Sequence, residues 1–308
     1  MYGRFLINRA NDSAMTSHIT ISAIQQPCNG DRQANLDISI EQISAAAEAG
    51  AELVVLPELH LHSYFCQSED SSKFQLAESI PGATTKILAG LADLLNIVIV
   101  ASLFEKRAPG LYHNTAVVFD RDGSIAGRYR KMHIPDDPGY YEKYYFTPGD
   151  LGFTPIDTSI GRLGVLVCWD QWFPEAARLM ALAGADILIY PTAIGWDPRD
   201  GGEEKNRQLD AWLTIQRAHA IANGIPVLAC NRTGLEASPC GQSGIAFWGN
   251  SFIAGPQGEF LQRADSQESR LLLCDIDGKQ SAAIRQSWPY LRDRRIDSYQ
   301  GLNSLYID

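Results

Sequence analysis

The order of apolar and polar positions along the chain predicts alternating strands and helices. Nearly continuous apolar runs, which are typical of strands buried on both faces of a sheet, occupy residues 19–25, 53–56, 163–169 and 187–190. Residues 35–49 and 174–183 instead carry apolar side chains at helical spacing. Pro174 stands at the start of the second of these segments, where a helix accepts proline. The pattern therefore predicts an α/β fold.

The chain also contains a long-range internal repeat. The segment Gly50–Pro57 resembles Gly184–Pro191, which lies 134 residues later, and each copy follows a predicted helix. Further matches pair 97–103 with 225–230 and 114–128 with 250–263. Two unrelated segments with the same α/β pattern would also explain this similarity, and the sequence leaves that alternative open.

Each half of the repeat predicts a β-α-β-α-β-β series. Two such halves packed sheet to sheet would form a four-layer α-β-β-α sandwich with an internal pseudo-two-fold repeat. We therefore expect one domain over residues 18–299, preceded by a flexible extension over 1–17 and followed by a tail over 300–308.

Charge and composition restrict the class of partner. The 308 residues carry a formal net charge of −10, which disfavours nucleic acid and anionic membranes and favours a small molecule. No run of about 18 apolar residues is present, and residues 1–17 lack the apolar centre of a secretory signal. The six cysteines have neither C-x-x-C nor zinc-finger spacing. These features predict a cytoplasmic protein without a structural metal.

Three reactive residues follow predicted strands, namely Glu58, Lys131 and Cys168. Each alone fits an ordinary structural role, such as a core thiol or a solvated lysine. Together they supply a general base, an oxyanion stabiliser and a thiol nucleophile at the strand ends where α/β folds bind ligands. The five histidines from His60 to His219 would also fit a papain-like Cys–His hydrolase. The sequence around Cys168, however, lacks the local motif that surrounds the cysteine of papain-like enzymes.

The segments around these residues resemble a known family. Pro57-Glu58, Arg130-Lys131-Met132-His133 and Val167-Cys168-Trp169-Asp170, in this order, resemble the Glu-Lys-Cys triad of the nitrilase superfamily of carbon–nitrogen hydrolases. The resemblance runs from about residue 19 to 299. It implies the four-layer sandwich, a thioester on Cys168 and no metal or organic cofactor. It also implies that Glu142 is a second glutamate, which orients the lysine and the substrate.

Within this family, residues 133–150, 168–175 and 191–195 resemble members that hydrolyse N-carbamoylputrescine to putrescine, carbon dioxide and ammonia. Related enzymes for carbamoyl amino acids place basic residues shortly after the nucleophile, where this chain has Gln171 and Trp172. We therefore predict a cationic ureido substrate, with Asp197 as the counter-ion of its distal ammonium. The predicted substrate-binding residues are Tyr64, Trp169, Trp172, Thr192, Ala193, Ile194 and Asp197.

Two alternatives remain at this point. The substrate could be another N-carbamoyl compound or an aliphatic amide, including carbamoyl-β-alanine or a carbamoyl amino acid. A non-catalytic binding protein with the same fold is the alternative from a different class. The tail from Ser281, which contains Trp288 and an arginine cluster at 292–295, resembles tails that cross a subunit interface and predicts a dimer-based homo-oligomer.

Overall fold

The computed structural model describes residues 18–239, 241 and 243–307. The predicted extension over residues 1–17 lies outside the described residues, as does Cys240. The strands are β1 (Ile19–Gln25), β2 (Leu53–Val55), β3 (Val98–Ala108), β4 (Leu111–Phe119), β5 (Ile125–Arg130), β6 (Ile156–Thr158), β7 (Gly161–Val165), β8 (Ile187–Thr192), β9 (Gly195–Trp196), β10 (Val227–Asn231), β11 (Thr233–Glu236), β12 (Ile245–Trp248), β13 (Phe252–Ala254), β14 (Phe260–Arg263) and β15 (Arg270–Ile276). The α-helices are α1 (Arg32–Glu48), α2 (Ala83–Leu95), α3 (Pro174–Leu182), α4 (Gly202–Asn223) and α5 (Gly278–Ser287).

Two six-stranded sheets form the centre of the fold. The first has the order β15-β1-β2-β3-β4-β5 and the second the order β6-β7-β8-β10-β13-β14. In both sheets an antiparallel edge strand is followed by two parallel and then two antiparallel pairings. The two halves therefore share one pattern of strand pairing, as the internal pseudo-two-fold repeat predicts.

The sheets pack against each other and carry helices on their outer faces. In β2, Leu53 and Val55 join the core cluster shared with the second sheet, while Val54 joins the cluster beneath α1 and α2. Because successive strand residues point to opposite faces, a strand covered on both sides must be apolar throughout. The outer face of the second sheet is covered by α3 and α4, and this confirms the four-layer α-β-β-α sandwich.

Equivalent glycines join helix to strand in the two halves. Gly50 follows α1 with a φ of +96°, and Gly184 follows α3 with a φ of +94°. L-residues with a side chain rarely adopt this part of φ/ψ space, so glycine lets each helix end and the chain turn into a buried strand. The sequence similarity around these residues thus reflects a shared backbone requirement.

Some predicted boundaries differ from those in the structure. Helix α1 begins at Arg32 rather than Asn35, because the Asp31 carboxylate accepts hydrogen bonds from the backbone N–H groups of Gln33 and Ala34 and caps the helix three residues earlier. The strand predicted over 163–169 is β7 and ends at Val165. The Leu166 backbone N–H still donates to the Ile189 carbonyl at 2.9 Å, but Cys168 adopts a φ of +45°, so the extended conformation ends before the predicted limit at Trp169.

A small sheet, formed by β9, β11 and β12, supplements the two main sheets. Its strand β9 follows β8 directly, and β11 follows β10, so it extends the carboxyl ends of two parallel strands. The tail beyond α5 forms short 3₁₀ turns at Ile296–Ser298 and Gln300–Asn303. In the part of the chain that is described, no helix has the length and apolar character needed to cross a bilayer.

Candidate active site

Glu58 lies just beyond β2, at the edge where the carboxyl ends of the parallel strands meet. Its side chain is fully buried. Oε1 accepts hydrogen bonds from Lys131 Nζ at 2.8 Å and from Asn114 Nδ2 at 2.7 Å. Oε2 has no hydrogen-bond partner among the described residues. One carboxylate oxygen is therefore fixed by two donors, and the other is free to accept a proton.

Lys131 immediately follows β5 and lies between two carboxylates. Its ammonium is fully buried and donates to Glu58 at 2.8 Å and to Glu142 Oε2 at 2.6 Å. Burial alone would lower the pKa of Lys131, but Glu142 and Glu58 outweigh burial and raise the pKa well above its usual value. The lysine therefore stays positively charged and can stabilise a negative charge that develops nearby.

Glu142 is the second carboxylate and begins a short 3₁₀ helix, Glu142–Tyr144. Its Oε1 accepts a hydrogen bond from the Tyr64 hydroxyl at 2.6 Å. Burial raises the pKa of Glu142 above its ordinary value, and the opposing charge of Lys131 limits this rise. The arrangement holds the lysine on two sides, so its ammonium has a defined position.

Cys168 starts the 3₁₀ helix Cys168–Trp172 in a strained, left-handed conformation. The buried Asp170 carboxylate anchors this turn by accepting hydrogen bonds from the backbone N–H of Val167 at 2.9 Å and of His133 at 3.0 Å, and from the Tyr129 hydroxyl at 2.9 Å. The Cys168 thiol points to the Ala193 carbonyl oxygen at 4.0 Å. The Cys168 thiol therefore lies on a sharp turn whose backbone is held in place by Asp170.

The protonation state of the thiol follows from its surroundings. Burial raises the pKa of Cys168 well above its usual value, and the charge of Glu58 raises it further against the opposing effect of Lys131. At rest the sulfur is therefore protonated, and attack on an electrophile requires a base to take the proton. This arrangement is suited to acyl transfer through a covalent intermediate.

A cavity of about 420 Å³ opens beside Cys168. Aromatic side chains supply much of its wall, and three aspartates lie around it. Its lining includes Tyr140, Trp169, Trp172, Trp248, Ile194, Asp137, Asp197 and Asp200. The described residues that line it include neither lysine nor arginine. Among the described lining residues, the walls are therefore largely apolar and the charged side chains are all aspartates.

The predicted substrate-binding residues separate into two groups. Trp169, Trp172, Ile194 and Asp197 line the cavity. Tyr64, Thr192 and Ala193 lie behind its wall. Tyr64 therefore does not line the channel as predicted, because its hydroxyl is directed to Glu142. The Thr192 carbonyl accepts the Glu58 backbone N–H at 3.3 Å, and the Ala193 carbonyl faces the thiol.

The carboxylate of Asp197 is already compensated by its neighbours. Arg199 binds both of its oxygens, with Nη2 at 2.6 Å from Oδ2 and Nε at 3.0 Å from Oδ1, and the Ser243 hydroxyl donates at 2.6 Å. Hydrogen bonds from the Arg199 side chain and from Ser243 hold the pKa of Asp197 well below its usual range. The carboxylate predicted to be the counter-ion of a distal ammonium is therefore already paired with Arg199, and its role toward a substrate stays a prediction.

Several site residues were not identified by the sequence analysis. Asn114 binds Glu58, and its alignment with Asn250 in the repeat was a signal that an amide in an apolar strand had a special role. Asp170 and Tyr140 gave no comparable signal, because the Tyr129 and His133 partners of Asp170 and the Gly195 partner of Tyr140 lie far away in the chain. Tyr140 Oη accepts from the Gly195 N–H at 3.0 Å at the cavity wall. Among the described residues, no group of three or more His, Cys, Asp or Glu could hold a metal ion.

Comparison with known proteins agrees with this geometry. The family described as carbon–nitrogen hydrolase matches residues 20–286. An N-carbamoylputrescine amidase from Solanum lycopersicum is 42% identical over 93% of this chain and 95% of its own length. A citrullinase from Francisella tularensis is 40% identical over 94% of this chain and 100% of its own.

A solved structure gives the same result for the fold. The crystal structure of a carbon–nitrogen hydrolase from Helicobacter pylori G27 superposes with a TM-score of 0.92 at 53% identity, covering 94% of this chain and 100% of that one. The family match, the topology and the buried Glu58–Lys131–Cys168 arrangement agree with one another. The chain belongs to the carbon–nitrogen hydrolase family, the nitrilase superfamily.

Proposed function

We propose that the protein hydrolyses N-carbamoylputrescine to putrescine, carbon dioxide and ammonia, with Glu58, Lys131, Glu142 and Cys168 as its catalytic residues. The observation that carries this proposal is the position of the thiol. Cys168 lies at the end of a cavity whose charged lining residues, among those described, are all aspartates, next to a glutamate with one free carboxylate oxygen. Relatives about 42% identical over most of this chain are N-carbamoylputrescine amidases, which supports the choice of substrate.

The first half of the reaction forms a covalent intermediate. Glu58 Oε2 takes the Cys168 proton while the sulfur attacks the ureido carbonyl carbon. The carbonyl electrons move to its oxygen, which accepts hydrogen bonds from Lys131 Nζ and from the backbone N–H of Trp169. When the tetrahedral intermediate collapses, its bond to the terminal nitrogen breaks, and Glu58 returns the proton to the departing ammonia. An N-alkylcarbamoyl thioester remains on Cys168.

The second half releases the other products. Glu58 takes a proton from a water molecule, which attacks the thioester carbonyl, and Lys131 again stabilises the oxyanion. The carbon–sulfur bond then breaks, and the proton passes from Glu58 to Cys168. The carbamic acid that leaves decomposes to putrescine and carbon dioxide. Atoms and charges balance without any metal or organic cofactor.

The distal ammonium of this substrate requires a carboxylate at the far end of the cavity. The side chain of Asp197 is shared with Arg199, so we assign the larger part of this role to Asp200. Asp200 is half-buried, lines the same cavity and accepts a hydrogen bond from Gln208 Nε2 at 3.3 Å. No described lysine or arginine lies within ion-pair distance of it. Trp172 and Trp248 supply apolar walls for the butyl chain.

Ammonia release from three ureido compounds tests this proposal. We expect kcat/KM for N-carbamoylputrescine to exceed that for citrulline and for N-carbamoyl-β-alanine by about ten- to a hundredfold, the worth of one charge-assisted hydrogen bond. Asp200→Asn is expected to raise the KM for N-carbamoylputrescine about tenfold, and Asp197→Asn is expected to raise it less. Cys168→Ala is the inactive control. A preference for N-carbamoyl-β-alanine would overturn the assignment of the substrate, whereas ammonia release by Cys168→Ala would overturn the nucleophile.

The oligomeric state and location are also proposals. The described tail exposes large apolar side chains, including Trp288, Ile296 and Leu302, and a second copy of this chain would cover them in a dimer-based homo-oligomer. Analytical ultracentrifugation of the full chain tests this, and a single monomeric species would contradict it. The five described cysteines are unpaired, which supports a cytoplasmic location.

A further inference from the structure

The turn that carries Glu58 contains a strained residue. Leu59, directly after Glu58, adopts a φ of +49° although it has a bulky side chain. Such a conformation is costly and persists only where the surrounding structure holds it. The turn continues to Tyr64, whose hydroxyl binds Glu142. Both ends of the turn therefore contribute to the Glu58–Lys131–Glu142 cluster, so its backbone needs an anchor.

Arg232 supplies this anchor from the opposite half of the molecule. It lies between β10 and β11 and is fully buried. Its Nη2 donates to the carbonyl oxygens of Glu58 at 2.7 Å and Leu59 at 3.0 Å, and its Nη1 donates to that of His62 at 3.1 Å. These carbonyls belong to the turn rather than to a strand, and one guanidinium binds all three of them; the Leu59 carbonyl also accepts from the His62 backbone N–H at 3.2 Å.

Glu236 completes the arrangement. Its Oε1 accepts from Arg232 Nη1 at 2.7 Å, and its Oε2 accepts from the backbone N–H of Tyr64 at 2.5 Å. The pair therefore holds the turn at both ends, through carbonyls at its start and an N–H at its finish. The rings of Tyr64 and Phe247 lie 5.9 and 5.2 Å from the guanidinium carbon and confine it from the sides.

We propose that Arg232, together with Glu236, is a positioning residue for the hydrolysis: it fixes the backbone of the Glu58 turn so that the free carboxylate oxygen stays within reach of the Cys168 proton. Neither side chain lines the cavity, so neither touches the substrate. The guanidinium also places a buried positive charge against the Glu58 backbone carbonyl. Lysine would retain this charge but lacks the planar fork that reaches several carbonyls at once.

The charged and titratable groups around the turn are shared by all variants of Arg232. Those near the Glu58 carboxylate are Lys131, Glu142, Cys168, Cys66, Tyr64 and Tyr140. Those near the guanidinium are Cys28, His60, His62 and Glu236. A difference between the lysine and methionine variants of Arg232 therefore reports the change at this one position.

The test compares Arg232→Lys, Arg232→Met and Glu236→Gln with the control Arg285→Lys. Arg285 also donates to a backbone carbonyl, that of Asn223 at 2.8 Å, but it lies in α5, outside the Glu58 turn and the cavity lining. Active sites are counted by iodoacetamide labelling of Cys168, located by mass spectrometry, and kcat and KM are measured by ammonia release from N-carbamoylputrescine. Because a small displacement of a reacting group is costly, we expect Arg232→Lys to lower kcat per labelled site at least about tenfold, with KM within about twofold. The control should stay within about twofold of wild type.

The number of labelled sites separates positioning from folding. We expect Arg232→Met, which loses all the hydrogen bonds to the turn, to lower kcat per labelled site more than Arg232→Lys does. A wild-type kcat per labelled site in Arg232→Lys would overturn the proposal, as would a loss explained wholly by fewer labelled sites. Should Arg232→Met fail to fold, Arg232→Lys and Glu236→Gln still decide. The inference rests on the proposed thiol chemistry; an incorrect substrate would show as an inactive wild type, while the rate of Cys168 labelling against pH would still compare the variants.

Discussion

Replacing Glu142 by glutamine tests the second carboxylate of the cluster. The change keeps the shape of the side chain and removes one negative charge 2.6 Å from Lys131 Nζ. At an effective dielectric constant of about 20, two unit charges at this separation attract by about 6 kcal/mol, most of which offsets the burial of both groups. A charge-assisted hydrogen bond has a net worth of about 1.5–3 kcal/mol, which corresponds to about ten- to a hundredfold in rate.

We therefore expect Glu142→Gln to lower kcat about ten- to a hundredfold. KM should change less than about threefold, because Glu142 does not line the cavity. The acidic limb of the pH profile should move to lower pH, because burial raises the pKa of Glu142 and the glutamine variant lacks this titrating group. Steady-state ammonia release between pH 5 and 9 measures both effects, with Glu175→Gln, an exposed glutamate on α3, as the control. A wild-type kcat, or a rise in KM alone, would refute the role given to Glu142.

Three further predictions concern Lys131, Asp170 and the buried histidine His60. Lys131→Met should abolish turnover and cost about 3–5 kcal/mol in urea unfolding, because it leaves two buried carboxylates without a cation. Asp170→Asn should cost about 2–4 kcal/mol by the same measurement, since an amide cannot accept all the bonds that hold the Cys168 turn. Burial lowers the pKa of His60 to about 3, below its unfolded value near 6.5. The unfolded chain therefore binds the proton first, and stability should fall by about 1.4 kcal/mol per pH unit as pH drops from 6.5 towards 3. The urea concentration at half unfolding should fall less steeply with decreasing pH in His60→Gln than in wild type. His18→Gln is the control and should follow wild type. Equal slopes in all three proteins would contradict the role of His60.

The fold could be predicted from the sequence because its signals are local and repeated. The apolar runs that became β2 and β8 are continuous because both faces of each strand are covered. The glycines that precede them mark the same backbone turn in both halves. The end of β7 could not be predicted this way, because the apolar run continues to Val167, while the turn that follows is held by Asp170 through contacts with Tyr129 and His133, which are distant in the chain.

Only those residues of the candidate site that lie in local sequence motifs could be predicted from the sequence. Glu58, Lys131 and Cys168 follow strands and lie in recognisable motifs, so they could be identified one by one. Arg232 could not, because its contact with the Glu58 carbonyl spans 174 residues and depends on how the two halves pack. For Asp197, the sequence contained local evidence of a competing partner: Arg199 lies two residues later, and the two side chains form an ion pair.

The pairing of β15 with β1 gives the chain an asymmetric order of assembly during synthesis. Ile19 pairs with Ile276, whereas all strands of the second sheet lie between residues 156 and 263. During synthesis, all strands of the second sheet therefore leave the ribosome before β15, the antiparallel partner of β1. Until residues 270–276 emerge, one side of β1 presents an open row of backbone donors and acceptors, and unpaired strand edges of this kind promote aggregation. Strand β15 thus completes the sheet of the amino-terminal half. Nascent chains that stall just before β15 expose the unpaired edge of β1 and would be the species most in need of a chaperone.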